Sequence, residues 1–297
     1  MAGALCVLGL LALIGGYAGA LHPLGDSLSV LRLPAAVALL VFGLIALGLR
    51  ARVLGGLAAG AAMLSLGGMT RTVLPTDGLT HRPTDTALIL YTKNLSFRLT
   101  DPGPVLGDIA ATGASLLTLQ ELSATNGGAM DRLGPVWMAR HRCVFTAGLD
   151  VGVAARWPVA PGGTRCAHGM AAVHLQGPDG PFWLVSLHLH WPWPYRQPEQ
   201  LSRLLPALAA LAATGDPLVI GGDFNAMPWS SAVDAVARAS ATRRLGPAHR
   251  SFEIAGMYVL PIDHVLAAGQ GRVTRRPLFG SDHAGLLARV DLTADAE

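Results

Sequence analysis

The sequence predicts an α/β domain carried behind three apolar helices. Three observations point there. Within the first 70 residues, three long apolar runs carry no interior charge. From Thr86 onward, short apolar runs alternate with stretches of helical period. Only 14% of the 297 residues are charged, and the mean hydropathy is +0.43. A soluble domain carries about 25% charged residues, so part of this chain is expected in lipid. The length suits one large domain plus extra segments. The net charge of +3 argues against a strongly electrostatic nucleic-acid platform, while leaving room for a local basic patch.

The apolar runs are Ala4 to Leu21, Leu33 to Leu49 and Val53 to Met69. Each approaches the roughly 20 residues of a bilayer-spanning helix. A cleaved signal peptide accounts for one run but not three, and the first lacks a basic leader. Buried soluble helices would need a core partner of matching size. The third run, rich in Gly and Ala, carries the weakest signal. Arg50 and Arg52 lie in the short second connection, and the positive-inside tendency places that turn in the cytoplasm. Three crossings then put everything after Met69 outside, against a weak opposing pull from Arg71 and Arg82. The expected organisation is a membrane anchor over 1–70, a linker over 71–84 containing Pro75, Gly78 and Pro83, and an α/β domain over 85–297. The expected location is the inner membrane with that domain in the periplasm. Cys143 and Cys166 could pair in such an oxidising compartment, or remain two thiols.

Thr86 to Tyr91 reads as a strand that delivers Lys93, the only lysine, and Asn94 at its end. A helix over Pro104 to Ala111 starts on a proline suited to a first turn. The next strand, Ser115 to Leu119, ends in Gln120-Glu121; a solvated strand end is the plain reading of that glutamate. Val151 to Ala155 and Met170 to Leu175 are short strands. The turn Gly177 to Gly180 joins the latter to Phe182 to Leu189 in a hairpin. That strand ends in His188-Leu189-His190, whose two histidines share a face, as in a metal site or ordinary polar packing. Trp191-Pro192-Trp193-Pro194-Tyr195 is a stiffened aromatic loop, able to stack on a base, line an apolar groove, touch lipid or simply pack.

Arg196 to Ala213 has leucines at helical spacing and stops at Gly215. The strand Pro217 to Ile220 then runs into Gly221-Gly222-Asp223-Phe224-Asn225. In strand geometry Asp223 and Asn225 point the same way, although Gly-Gly-Asp is also turn chemistry. A short helix follows near Ser231 to Ala239. Tyr258 to Leu266 reads as one strand with Asp263 embedded, and Ser281-Asp282-His283 precedes a last strand, Leu286 to Val290.

Singly these signals are weak, but their order is not. Asn94, Gln120-Glu121, Ser186-Leu187-His188-Leu189, Gly222-Asp223-Phe224-Asn225, Ile262-Asp263-His264 and Ser281-Asp282-His283 together resemble the endonuclease/exonuclease/phosphatase superfamily. The resemblance covers about Thr86 to Leu292 and looks closest to membrane-anchored bacterial members. It implies a four-layer sandwich of two mixed β-sheets flanked by helices, and cleavage of a phosphoester with a divalent metal, magnesium or in its place manganese. By the same resemblance Glu121 is the main metal ligand, Asn94 stands near metal and phosphate, and Asp282 stands near the metal. Asp223 matches the residue that positions or deprotonates the attacking water, and Asn225 the one that orients the phosphate. His188 matches a strand end beside the site. Asp263 matches the hydrogen-bond partner of the last histidine, and His283 the residue at the scissile phosphate. Ser96 stands where some nucleases carry an acid, which leaves the metal count open. His190 and His264 have no clear counterparts.

Elementary chemistry agrees. A phosphodiester transition state spreads negative charge over its oxygens, so positioning and neutralisation dominate, and magnesium prefers oxygen ligands. The expected partners are a phosphodiester substrate, nucleic acid or phospholipid headgroup, and the membrane itself. A lipid phosphodiesterase of the same fold is the first alternative. A catalytically silent binding module is the second, although it would have no need of the full acid and histidine set. A transport subunit is the last, and three helices without interior charge make a poor pathway.

Overall fold

The computed structural model describes residues 2–74, 87–126, 128–254 and 258–292. The N-terminal part folds as α1 (Ala2–Tyr17), a 3-10 turn (Ala18–Ala20), a short α2 (Leu24–Ser29), α3 (Arg32–Gly48) and α4 (Arg52–Val73). The segment Gly3–Ala20 and the 22-residue α4 are long and apolar enough to cross a membrane. The 17 residues of α3 make about 25 Å of helix against a hydrocarbon layer of about 30 Å. The helices α3 and α4 approach closely where Gly43 meets Ala59 and Gly55 meets Leu47; a Cβ at either glycine would sit 2.8 Å from the facing backbone. Their outer surfaces expose Val41, Leu44, Leu57 and Leu64.

The rest of the chain runs β1 (Leu88–Asn94), α5 (Gly103–Ala111), β2 (Leu116–Leu122), α6 (Gly128–Asp131), β3 (Ala139–Thr146), β4 (Leu149–Ala155), β5 (Val159–Ala167), β6 (Met170–Gly177) and β7 (Gly180–His188). It continues through α7 (Gln197–Ala212), β8 (Leu218–Asp223), α8 (Ser231–Ala239), β9 (Arg243–Arg244), β10 (Phe252–Ile254), β11 (Tyr258–Leu260), β12 (Asp263–Ala267), β13 (Gln270–Arg275) and β14 (Leu286–Asp291). One six-stranded sheet has the order β13-β14-β1-β2-β4-β3, and the other β5-β6-β7-β8-β12-β9. Each is mixed, with one parallel pair: β1 with β2, and β7 with β8.

Strand alternation builds the layers. On β7, Phe182 and Leu184 point between the sheets, where they meet Leu90, Leu116 and Val153. Trp183, Val185 and Leu187 point the other way, onto Leu204 and Leu208 of α7 and Val233 and Val236 of α8. On the first sheet, Tyr91, Leu117 and Leu119 face Val105 and Ile109 of α5. Both faces of the central strands are buried, which is why these strands read as unbroken apolar runs.

Two expectations need correction. The strand expected over Tyr258 to Leu266 is two strands: Pro261, which has no N–H to give a ladder, separates β11 from β12. Residues 71–73, expected in the linker, belong to α4, while the rest of it from 75 onward lies outside the described residues. The N-terminal helices are seated directly on the α/β domain. Asp26 of α2 caps α8, accepting from the backbone N–H of Ser231 at 2.9 Å and of Ala232 at 3.2 Å. The Trp229 indole donates to the Ser29 carbonyl at 3.0 Å, and the Ala248 N–H to the Val73 carbonyl at 3.0 Å. Ser27 bonds the Trp193 carbonyl and Arg244 the Thr72 carbonyl. All these contacts lie at the helix ends opposite the Arg50–Arg52 turn.

Cys143 on β3 and Cys166 on β5 form a disulfide that joins the edges of the two sheets, 23 residues apart in sequence. Closing a loop of that length is expected to stabilise the domain by about 3 kcal/mol. Urea unfolding followed by tryptophan fluorescence, with and without reductant, measures it. An unchanged midpoint would show that packing alone holds the sheets together.

Candidate active site

The two parallel pairs place four strand ends at one edge of the sandwich. Asn94 closes β1 beside Gln120 of β2, and His188 closes β7 beside Asp223 of β8. Asp263, the first residue of β12, lies antiparallel and directly opposite Asp223. His283 reaches the same edge from the loop before β14, through a bridge to Phe252. Side chains from both sheets therefore meet over the end of the core.

Backbone geometry aims them. The β2–β4 register shifts between Leu119 and Leu122, and Glu121 in that bulge has φ +55°. A bulge re-aims a side chain, and here it turns the Glu121 carboxylate toward Asn94. Ser96 and Asn225 also have positive φ, +61° and +46°. Three non-glycine residues in the left-handed region, all around one cleft, mark backbone strain held by surrounding contacts.

Hydrogen bonds tie the groups together. The Asn94 amide donates to Glu121 Oε1 at 3.0 Å and to Asp223 Oδ2 at 3.0 Å, using both its hydrogens. Its oxygen accepts from the Ser96 N–H at 2.8 Å. Glu121 Oε2 accepts from the Phe97 N–H at 2.8 Å. Asp223 Oδ1 accepts from the Asn225 N–H at 2.9 Å, and the Asn225 amide donates to the Leu189 carbonyl at 2.8 Å. His283 Nδ1 is 2.8 Å from Asp263 Oδ2, and its Nε2 is 3.7 Å from Asp223 Oδ2. His188 Nε2 is 3.5 Å from Asp223 and 4.0 Å from Glu121. All eight expected site residues gather here. Seven form this network, and Asp282 stands exposed at its rim, where its charge acts on His283 and Lys93.

The electrostatics follow from burial and charge. Burial works against the imidazolium of His283, but the carboxylates of Asp263 and Asp223 outweigh it and hold its pKa up at about 9. Burial likewise opposes the charge on Asp223, yet His283, His188 and the Asn225 N–H hold its pKa down at about 2. Burial pushes the Asp263 carboxyl up and the Asp223 charge adds to it, while the His283 contact pulls it back down. His264 is different: burial drives it to about 3, and it binds the Ala226 carbonyl at 2.9 Å as a neutral brace for the Asn225 loop.

This donor set fits a hard divalent cation. Glu121 offers a carboxylate whose side chain is 19% exposed, and exposed Asp282 lies on the adjoining loop. Asp223, Asp263 and His283 also cluster closely enough to hold an ion. Asp263 Oδ2, however, is taken up by His283, and a protonated imidazole is no ligand. Asn94 links Glu121 to Asp223 through both amide hydrogens, which orients the two carboxylates.

Sequence reading missed several parts. Lys93 is fully buried and donates to the His283 carbonyl at 2.6 Å. Burial brings its ammonium down to about 8, against the pull of Asp263, Asp282 and Asp108. Gln197 and Gln200 of α7 clamp the loop after His188, bonding the backbone of His190 and His188 at 2.7 Å. Phe145 stacks on His188 at 4.2 Å, and Phe252 on His283 at 4.6 Å. Only Lys93 had a signal, as the sole lysine. The others are ordinary residues until the fold brings them close.

Comparison with known proteins bears on the same region. The profile of the Endonuclease/Exonuclease/phosphatase family matches residues 91–283. TDP2 of D. rerio, complexed with a single-strand DNA product, superposes with a TM-score of 0.56 at 12% identity, covering 70% of this chain and 100% of that one. The human Nocturnin catalytic domain, with a bound sulfate anion, gives 0.54 at 15% identity, covering 71% and 96%. The 3′ phosphatase NExo of Neisseria, bound to a product DNA hairpin, gives 0.53 at 17% identity, covering 69% and 100%. At such identities these likenesses show the shared fold. No curated protein matches the chain in sequence.

Proposed function

This chain belongs to the Endonuclease/Exonuclease/phosphatase family and is a phosphoric ester hydrolase, and from that premise we propose that it is a divalent-metal-dependent phosphodiesterase held in a membrane by α1, α3 and α4. The observation that carries the reading is the convergence of Glu121, Asp223, Asp263 and His283, with Asn94 and His188, on one strand-end cleft. The anchor rests on the apolar surfaces of the helices. The catalytic domain docks opposite the Arg50–Arg52 turn, which supports a periplasmic domain, as does the disulfide.

Magnesium or manganese, held by Glu121 with Asp282 alongside, would neutralise phosphoryl charge. The chain's own groups do the rest. Asp223 stays ionised and can orient a water and take its proton. His283, protonated at neutral pH and fixed by Asp263, points Nε2 at the same place, where it can donate to a phosphoryl or leaving oxygen. The Asn225 amide, one hydrogen of which is on the Leu189 carbonyl, can give its other hydrogen to a phosphate oxygen.

The test uses the full chain in detergent with bis-p-nitrophenyl phosphate. Activity should vanish in EDTA and return with magnesium or manganese. Turnover that ignores EDTA would reject the metal-dependent reading.

A further inference from the structure

A groove of about 790 Å³ runs between the anchor helices and the catalytic domain, within the ~300–1,000 Å³ of small-molecule sites. Val37, Leu66 and Val73 form its helical wall, and Met227, Trp229 and Leu260 the other. Arg250 is the one charged residue among those described as lining it.

The groove borders the segments that carry the catalytic groups. Met227 lies two residues after Asn225, and Pro261 two residues before Asp263. Phe252 pairs with Leu260 in the β10–β11 hairpin and lays its ring 4.6 Å from His283 and 5.9 Å from Trp191. Met227, Leu260 and Ile262 pack with Val30, Trp191 and Phe252 as one apolar cluster. Apolar packing thus runs from the wall of the groove to the catalytic histidine.

Its other end opens onto the helix surface that needs hydrocarbon around it. Val37 lines the groove and is still 48% exposed, and Val41 and Leu64 continue the same uncharged helix exteriors at 49% and 80%. A polynucleotide tracking this path would need a row of cations for its phosphates, and a single arginine does not supply one. An amphiphile matches both ends: hydrocarbon against the helices, and an anionic phosphoester passing Arg250 toward Asp223 and His283.

We propose that this groove takes the hydrocarbon chain of a membrane phospholipid and presents the headgroup phosphodiester to the catalytic cleft. The proposal rests on the hydrolase reading above and names its substrate class. In the reaction a water oxygen bonds to phosphorus, the ester P–O bond to one alcohol breaks, and the proton lost by the water is matched by one gained on the leaving oxygen.

The test compares the full chain with Val37→Trp and Ala38→Trp, which fill the groove from α3 away from the catalytic groups. Substrates are phosphodiester lipids of increasing chain length, presented as monomers below aggregation, plus bis-p-nitrophenyl phosphate and plasmid DNA. For the unmodified chain, kcat/KM should rise by up to roughly fourfold per added methylene until the groove is full. Either tryptophan should lower kcat/KM on the long-chain lipid by about tenfold or more, with chain-free turnover unchanged. A flat chain-length series, an equal loss on lipid and chain-free substrate, or faster cleavage of DNA than of lipid would overturn the proposal. The series on the unmodified chain stands even if both variants misfold. Failure to hydrolyse any phosphoester with metal present would instead reject the hydrolase reading itself.

Discussion

Replacing Asp223 with alanine is expected to lower kcat by about 10³–10⁴-fold, the combined scale of a lost general base and a lost electrostatic anchor. Its carboxylate is almost wholly buried, accepts from Asn94 and the Asn225 N–H, and lies within 4 Å of both His188 and His283. Alanine removes the base and also leaves the Asn94 amide short of a partner. Asp223→Asn separates the two effects, since it keeps the volume while abolishing the charge, and it should lose nearly as much turnover with less loss of stability. The measurement is kcat on bis-p-nitrophenyl phosphate at saturating metal, with folding checked by thermal melting. A folded Asp223→Asn protein turning over within severalfold of the unmodified chain would show that Asp223 is not at the chemistry.

His283→Ala should cost about 10²–10⁴-fold, and Asp263→Asn should cost less but in a pH-dependent way. Burial favours neutral His283, and Asp263 and Asp223 together hold its pKa near 9 instead. The sign follows directly. A group raised to about 9 donates its proton at all pH values below that, and activity should fall as pH rises through about 9. Without the Asp263 charge, burial counts for more and the histidine pKa drops. Asp263→Asn should therefore shift the alkaline limb of the kcat profile to lower pH, and its deficit should be larger at pH 8 than at pH 6. His283→Ala combined with Asp263→Asn should cost no more than His283→Ala alone, because Asp263 acts through the histidine. A uniform, pH-independent loss in Asp263→Asn would mean that Asp263 only supports the fold.

Much of this site was legible in the chain because its members end strands. Asn94, Glu121, His188 and Asp223 each follow a short apolar run, and a polar group there stands out without any knowledge of the fold. The three apolar helices were legible for the same local reason. The edge strands were not. β3 alternates buried and exposed residues with arginines facing out, and β5 is interrupted by a register shift and by Gly162 and Gly163 at positive φ, so neither presents a continuous apolar run. The split between β11 and β12 was foreshadowed by Pro261, but the apolar residues around it masked the break.

The amino-acid sequence by itself determined the inventory: long apolar helices, strands of fixed alternation, and an ordered set of acids, amides and histidines. Only the tertiary structure decided which of these touch. The bulge that turns Glu121, the lysine under His283, the aromatic rings on both histidines and the seating of Asp26 on α8 join residues up to about two hundred positions apart. Local propensity carries no information about such pairs, because their contact energies exist only once two sheets and the N-terminal helices have packed around them.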